Sequence, residues 1–168
     1  MKRSLLSLVG LLLGLAVYYL APGMFGERQP VAVPTSDRGT GPAINVEHIF
    51  EGQINRRGKP VGFHSRPGGE DPEGARMVRR VSGPNGAGVY IAEVEIRSGS
   101  DRWLRKTSTF YPDRLSRDEV VAAILHAWED RRDLGGGKFQ GDSREGFTIE
   151  GYTLDDGGIN TAYPLYKR

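Results

Sequence analysis

Residues 88–97 read G-V-Y-I-A-E-V-E-I-R, and this stretch decides the fold class. Tyr90, Ala92, Val94 and Ile96 fall at every second position, while Glu93, Glu95 and Arg97 fill the places between. A period of two puts the first set on one face of a β-strand and the charges on the other, the pattern of a strand half in a core and half in water. Gly99-Ser100-Asp101 follows as a turn. Trp103 to Phe110 then reads as a second strand running back, ended by Tyr111-Pro112. A strand pair joined by so short a turn must be antiparallel, because a parallel pair needs a long crossover.

Outward from this hairpin, Ile44 to Phe50 reads as one or two helical turns stopped at Gly52. Arg66 to Gly88 is dense in Gly and Pro and reads as a long loop. Ser116 with Glu119 three residues on forms a capping-box pattern ahead of V-V-A-A-I-L-H-A-W. Val120, Val121, Ile124, Leu125 and Trp128 recur at the helical period and predict one main amphipathic helix. His126 falls opposite that stripe and is expected to be exposed and chemically idle. Gly135 to Gly137 reads as a flexible connector, and with no strand before it the triplet is not a phosphate loop. Phe147–Leu154 and Ile159–Leu165 flank D-D-G-G, a second hairpin. Short helix, strand pair, helix, strand pair is the order of an α+β domain with antiparallel sheets, not of a βαβ fold.

Residues 1–26 differ from the rest. Lys2 and Arg3 precede an uncharged apolar run from Leu5 to Ala21, the layout of an export segment. It reads equally as a cleaved signal peptide, with Ala21 and Gly23 at small-residue positions, or as a retained anchor with Tyr18 and Tyr19 at the interface. Membrane association through residues 4–21 and an exported protein, periplasmic, inner-membrane anchored or secreted from a bacterium, are the expectations. Residues 27–43 are rich in Pro, Gly and polar residues and read as a linker, leaving 44–168 as one domain. The chain has no cysteine, so no disulfide staples it. Its formal charge of +2 comes from Lys2 and Arg3; the remainder balances 21 Lys+Arg against 21 Asp+Glu. Global charge therefore does not mark a nucleic-acid binder. Locally, residues 56–80 hold seven bases against three acids, and residues 113–156 hold six against eleven.

Two of the three histidines, His48 in H-I-F-E-G and His64 in P-V-G-F-H-S, lie sixteen positions apart. Histidine takes and returns a proton near neutral pH, and two of them on one bond make an acid–base pair. No H-E-x-x-H, cysteine cluster or acidic loop with ligand spacing is present, so neither a metal nor another cofactor is expected. No G-x-S-x-G elbow is present either.

Those histidine motifs, K-T-S-T-F-Y-P from Lys106 to Pro112, S-R-D-E-V-V-A-A-I from Ser116, and T-A-Y-P from Thr161 to Pro164 together resemble the bacterial EndoU nuclease domain. The resemblance spans Ile44 to Pro164 and implies an endoribonuclease that cuts RNA at uridines and leaves a 2′,3′-cyclic phosphate. It implies His48, His64 and Lys106 as catalytic residues, and Thr161 and Tyr163 as substrate-binding ones. Arg105 takes the place of Lys106 if the match is displaced by one residue. Ser65, Ser108 and Thr109 lie near the motifs and receive no role. The implied partners are an RNA substrate and, where such domains form the toxic tip of contact-dependent toxins, an immunity protein; a monomer is expected. The competing reading is a membrane-anchored or periplasmic binding protein without catalysis.

Overall fold

The computed structural model describes residues 41–168, so the export segment at 1–26 and residues 27–40 of the linker lie outside the described residues. The elements run α1 (Val46–Phe50), β1 (Gln53–Ile54), β2 (Pro60–Val61), β3 (Ala75–Ser82), β4 (Tyr90–Ser98), β5 (Arg102–Phe110), α2 (Arg117–Glu129), β6 (Arg132–Gly135), β7 (Lys138–Asp142), β8 (Thr148–Thr153) and β9 (Ile159–Pro164). They form three antiparallel sheets, β1-β2, β3-β4-β5 and β6-β7-β8-β9. The class is α+β, as the sequence predicts. Among the described residues no helix is long and apolar enough to cross a membrane.

The β4–β5 hairpin pairs without a break from Tyr90↔Phe110 to Ser98↔Arg102. Its inner face carries Tyr90, Ala92, Val94, Ile96 and Phe110, all buried together with Phe63 and Ala75. Its outer face is a ladder of charges: Glu95 accepts from Arg76 and Arg105, and Glu93 pairs with Arg79. Part of the expected 66–88 loop is instead strand β3, which lies at one edge of this sheet.

A second core joins α2 to the four-stranded sheet. The capping box forms as expected, with Ser116 Oγ accepting from the Glu119 amide and Glu119 Oε2 accepting from the Ser116 amide. Such a cap is worth about 1 kcal/mol. The buried stripe is turned from the expected one: Val120, Ala123, Ile124 and Ala127 are buried, while Val121, Leu125 and Trp128 are only partly so. Close approach explains the shift. A Cβ at Gly141 would lie 1.8 Å from the Ala127 carbonyl oxygen, so helix and strand meet through their smallest residues. His126, expected in solvent, has a side chain 36% exposed and lies 3.6 Å from Glu129. The glycine triplet is not a loose connector but part of the β6–β7 hairpin turn, with Gly135, Gly136 and Gly137 all at positive φ.

Candidate active site

Five residues named from sequence come from four separate parts of the chain: α1, the segment after β2, strand β5 and strand β9. Asn45 caps α1 through its side chain, which accepts from the His48 amide. Asn45 is also tied to β9 by its own amide, which donates to the Ile159 carbonyl at 2.9 Å. The chain returns past α1 at Gly62-Phe63-His64. The Phe63 amide donates to the His48 carbonyl at 2.8 Å, and the His64 amide to the Ile49 carbonyl at 2.7 Å. On the far side, the His64 carbonyl accepts from the Tyr111 amide just beyond β5. Phe63 holds φ 57°, a conformation costly for a side chain of that size, and its ring is wholly buried against Phe110. Packing of the apolar ring offsets local strain and aims the next residue, His64, into the site.

His48 and His64 are both buried, with ring centroids 6.4 Å apart. The His64 Nδ1–H donates to the Thr109 carbonyl at 3.0 Å, and Ser108 Oγ lies equally close. A carbonyl only accepts, so Nδ1 carries the proton and the Nε2 lone pair is left for chemistry. The His48 Nδ1–H donates to Gln53 Oε1 at 3.2 Å, leaving its Nε2 free in the same way. Burial, then the Lys106 charge, pushes His64 well below the usual histidine range despite the opposing Thr109 bond. Burial also lowers His48, with the Gln53 bond opposing it.

Lys106 projects inward from β5. Its Nζ donates to the Gly62 carbonyl at 2.6 Å and to Ser108 Oγ at 3.0 Å. Burial lowers this ammonium to about 8. Arg105 turns to the opposite face of the sheet, where it pairs with Glu95 at 2.9 Å and Glu93 at 3.5 Å. Between the two sequence alternatives, the geometry puts the lysine beside the histidines and the arginine away from them.

Tyr163 stacks on His64, ring centroids 5.3 Å apart at 28°. Thr161 lies two residues earlier on the same face of β9, and its Oγ1 is buried without a hydrogen-bond partner among the described residues. Three further residues join the site that the sequence reading left out. Gln53 orients His48. Ser108, 4% exposed, donates to the Phe63 carbonyl at 2.8 Å while standing against both Lys106 and His64. Glu150 receives the Tyr163 hydroxyl at 2.5 Å. Ser108 had a legible signal, since i and i+2 on a strand share a face and Lys106 is two residues before it. Gln53 and Glu150 had none.

Among the described residues no three His, Asp or Glu side chains gather as metal ligands. The donor set is two imidazoles, an ammonium and hydroxyls. That is an acid–base site with a cation to receive an anion. Residues 42–166 match the family model of the bacterial EndoU nuclease, and the chain belongs to that family. A protein of Bacillus cereus named "Toxin" is 32% identical over 119 residues, covering 71% of this chain and 22% of that protein. The chain thus spans about a fifth of that relative's length. No solved structure matches it.

Proposed function

We propose that this nuclease-family domain is an endoribonuclease that cuts RNA by attack of the substrate's own 2′-OH. The observation that carries the reading is the His48–His64 pair, 6.4 Å between ring centroids, with the Lys106 ammonium held beside both. His64, pushed furthest down by burial, stays neutral and acts as base: its Nε2 takes the 2′-OH proton. The freed O2′ attacks phosphorus and the bond to the 5′ oxygen breaks. His48, less buried and supported by Gln53, acts as acid and gives that oxygen its proton. Lys106 meets the charge that grows on the non-bridging oxygens. The products are a 2′,3′-cyclic phosphate and a free 5′-OH, with the two histidines exchanged in protonation state. A phosphodiester resting on Lys106 offsets the positive charge that depresses both imidazoles, so substrate itself helps His48 to hold its proton.

Uridine preference belongs to the same reading. On turning outward from its buried position, the unpartnered Thr161 hydroxyl supplies a bond to a pyrimidine edge, and the Tyr163 ring a surface for sugar or base. The protein acts outside the cytoplasm, carried there by residues 1–26, and its role is that of a toxin, as the relative's name suggests. An immunity protein in the producing cell follows from that role.

The test is incubation of the full-length protein with a uridine-containing RNA, and with the same sequence as DNA, in excess EDTA. Cleavage of the RNA alone supports the proposal. An intact RNA under these conditions favours the non-catalytic binding protein.

A further inference from the structure

We infer that Glu150 is a positioning residue of this site, holding the Tyr163 ring against His64. The inference rests on the reading of the site given above. Glu150 stands on β8 directly across from Tyr163 on β9 and is 7% exposed. A carboxylate taken that far from water is costly unless every lone pair is used. Here it is met from both sides. Lys138 Nζ, on β7, lies 3.0 Å from Oε1, and Gln140 Nε2 donates to Oε2 at 2.7 Å. The Tyr163 hydroxyl donates to Oε1 at 2.5 Å.

The β7 pair fixes the carboxylate, and the carboxylate fixes the phenol. The phenolic oxygen lies on the axis of the second side-chain torsion, so anchoring it fixes the first torsion and the place of the ring, while the His64 face it lies against sets the ring plane. The ring then has one place to lie, stacked on His64. Burial raises the Tyr163 phenol, and the Glu150 charge raises it further, so it remains a donor throughout the neutral range. Burial pushes the Glu150 carboxyl up too, but its three donors outweigh this and hold it below the usual range, an acceptor throughout.

The neighbouring residue supports the same register. A Cβ at Gly151 would lie 2.4 Å from Phe139 Cζ and 2.8 Å from the Thr161 carbonyl. Only glycine lets β8 sit between β7 and β9 with Glu150 opposite Tyr163. With its hydroxyl occupied, Tyr163 offers substrate a ring face rather than a hydrogen bond.

The test uses the full-length protein and begins without RNA. The Tyr163 ring current shifts the His64 ring protons upfield in an NMR spectrum. Tyr163→Phe removes the bond but not the ring, and Glu150→Leu removes the acceptor. Each should move the His64 signals toward ordinary positions, and the double variant should move them no further. With RNA, each single variant and the double should lose about tenfold in kcat, the scale of one charge-assisted hydrogen bond. KM should rise as well, because the loosened ring is also the face offered to sugar or base, and Glu150→Gln should restore both constants. Glu150→Gln keeps an acceptor oxygen and should restore the His64 shift and most of the rate. Unmoved His64 signals in Glu150→Leu and Tyr163→Phe, or losses that add in the double variant, would overturn the proposal. If Glu150→Leu does not fold, Tyr163→Phe, smaller by one oxygen, decides it. A protein showing these shifts but cleaving no RNA keeps the positioning role and loses the nuclease reading; cleavage with unmoved shifts does the reverse.

Discussion

Gly62 passes so close to His48 that a Cβ at position 62 would lie 2.1 Å from the His48 carbonyl oxygen and 2.9 Å from its Cδ2. Gly62 also holds φ 72°, where a side chain is strained, and its carbonyl accepts from Lys106 Nζ. One glycine therefore sets the distance between the first histidine, the second and the lysine. Gly62→Ala should cost about 1–3 kcal/mol of stability from backbone strain alone, read in urea unfolding. It should lower kcat by about 10²-fold, because a displacement near 1 Å in a site of this kind has that effect.

The three histidines should separate on mutation. His48→Ala or His64→Ala removes the proposed acid or base and should reduce kcat by about 10²–10⁴-fold. His126→Ala, on α2 beside Glu129, should leave the rate unchanged. Single-turnover assays on the three variants check this, and equal losses at all three would contradict the assignment.

Lys106 gives a stability prediction of opposite sign to its activity. Its pKa in the fold, about 8, lies below the ordinary lysine value of 10.5, so below pH 8 the buried charge opposes folding. That cost, on the order of 3 kcal/mol, is relieved as pH rises from about 8 towards 10.5. Lys106→Met should therefore raise the Tm at pH 7, with the gain shrinking above pH 8. The same change should lower kcat by about 10²–10³-fold. In the unmodified protein, kcat/KM should fall as pH rises through about 8.

On the acid side, His64 and His48 both bind protons less readily in the fold than the ordinary histidine value of 6.5. As pH falls below 6.5, the unfolded chain takes up protons that the folded chain refuses, and stability drops. Thermal midpoints from pH 7 to pH 5 should show a decline that is smaller in His64→Gln. An equal decline in both proteins would mean that other groups control acid unfolding.

How much of this was legible depended on whether a residue's role was local. β4 and β5 are half-buried and unbroken, so their apolar period of two survives in the sequence. β3 reads A-R-M-V-R-R-V-S, and its register shifts between Met77 and Arg79 and again between Arg80 and Ser82. Each shift inserts a residue and resets the alternation, which is why an eight-residue strand reads as loop. The buried stripe on α2 is rotated from the apolar positions toward Ala123 and Ala127 because Gly141, on β7 beyond the helix, decides which residues can be close. In the site, the histidines and Lys106 were carried by motif resemblance, while Gln53 and Glu150 owe their places to fold-back and cross-strand register. Only Ser108 stood within reach of a local rule.

In the proposed reaction the nucleophile is the 2′-OH of the substrate, activated by His64. The direct measurement uses an RNA whose cut site has been mapped and a second RNA with 2′-deoxyuridine at that one position, both in EDTA. The substituted bond should stay intact while the unsubstituted RNA yields an upstream fragment one water lighter by mass than a 3′-phosphate. Cleavage at the deoxy position, or a strict need for added metal, would contradict it.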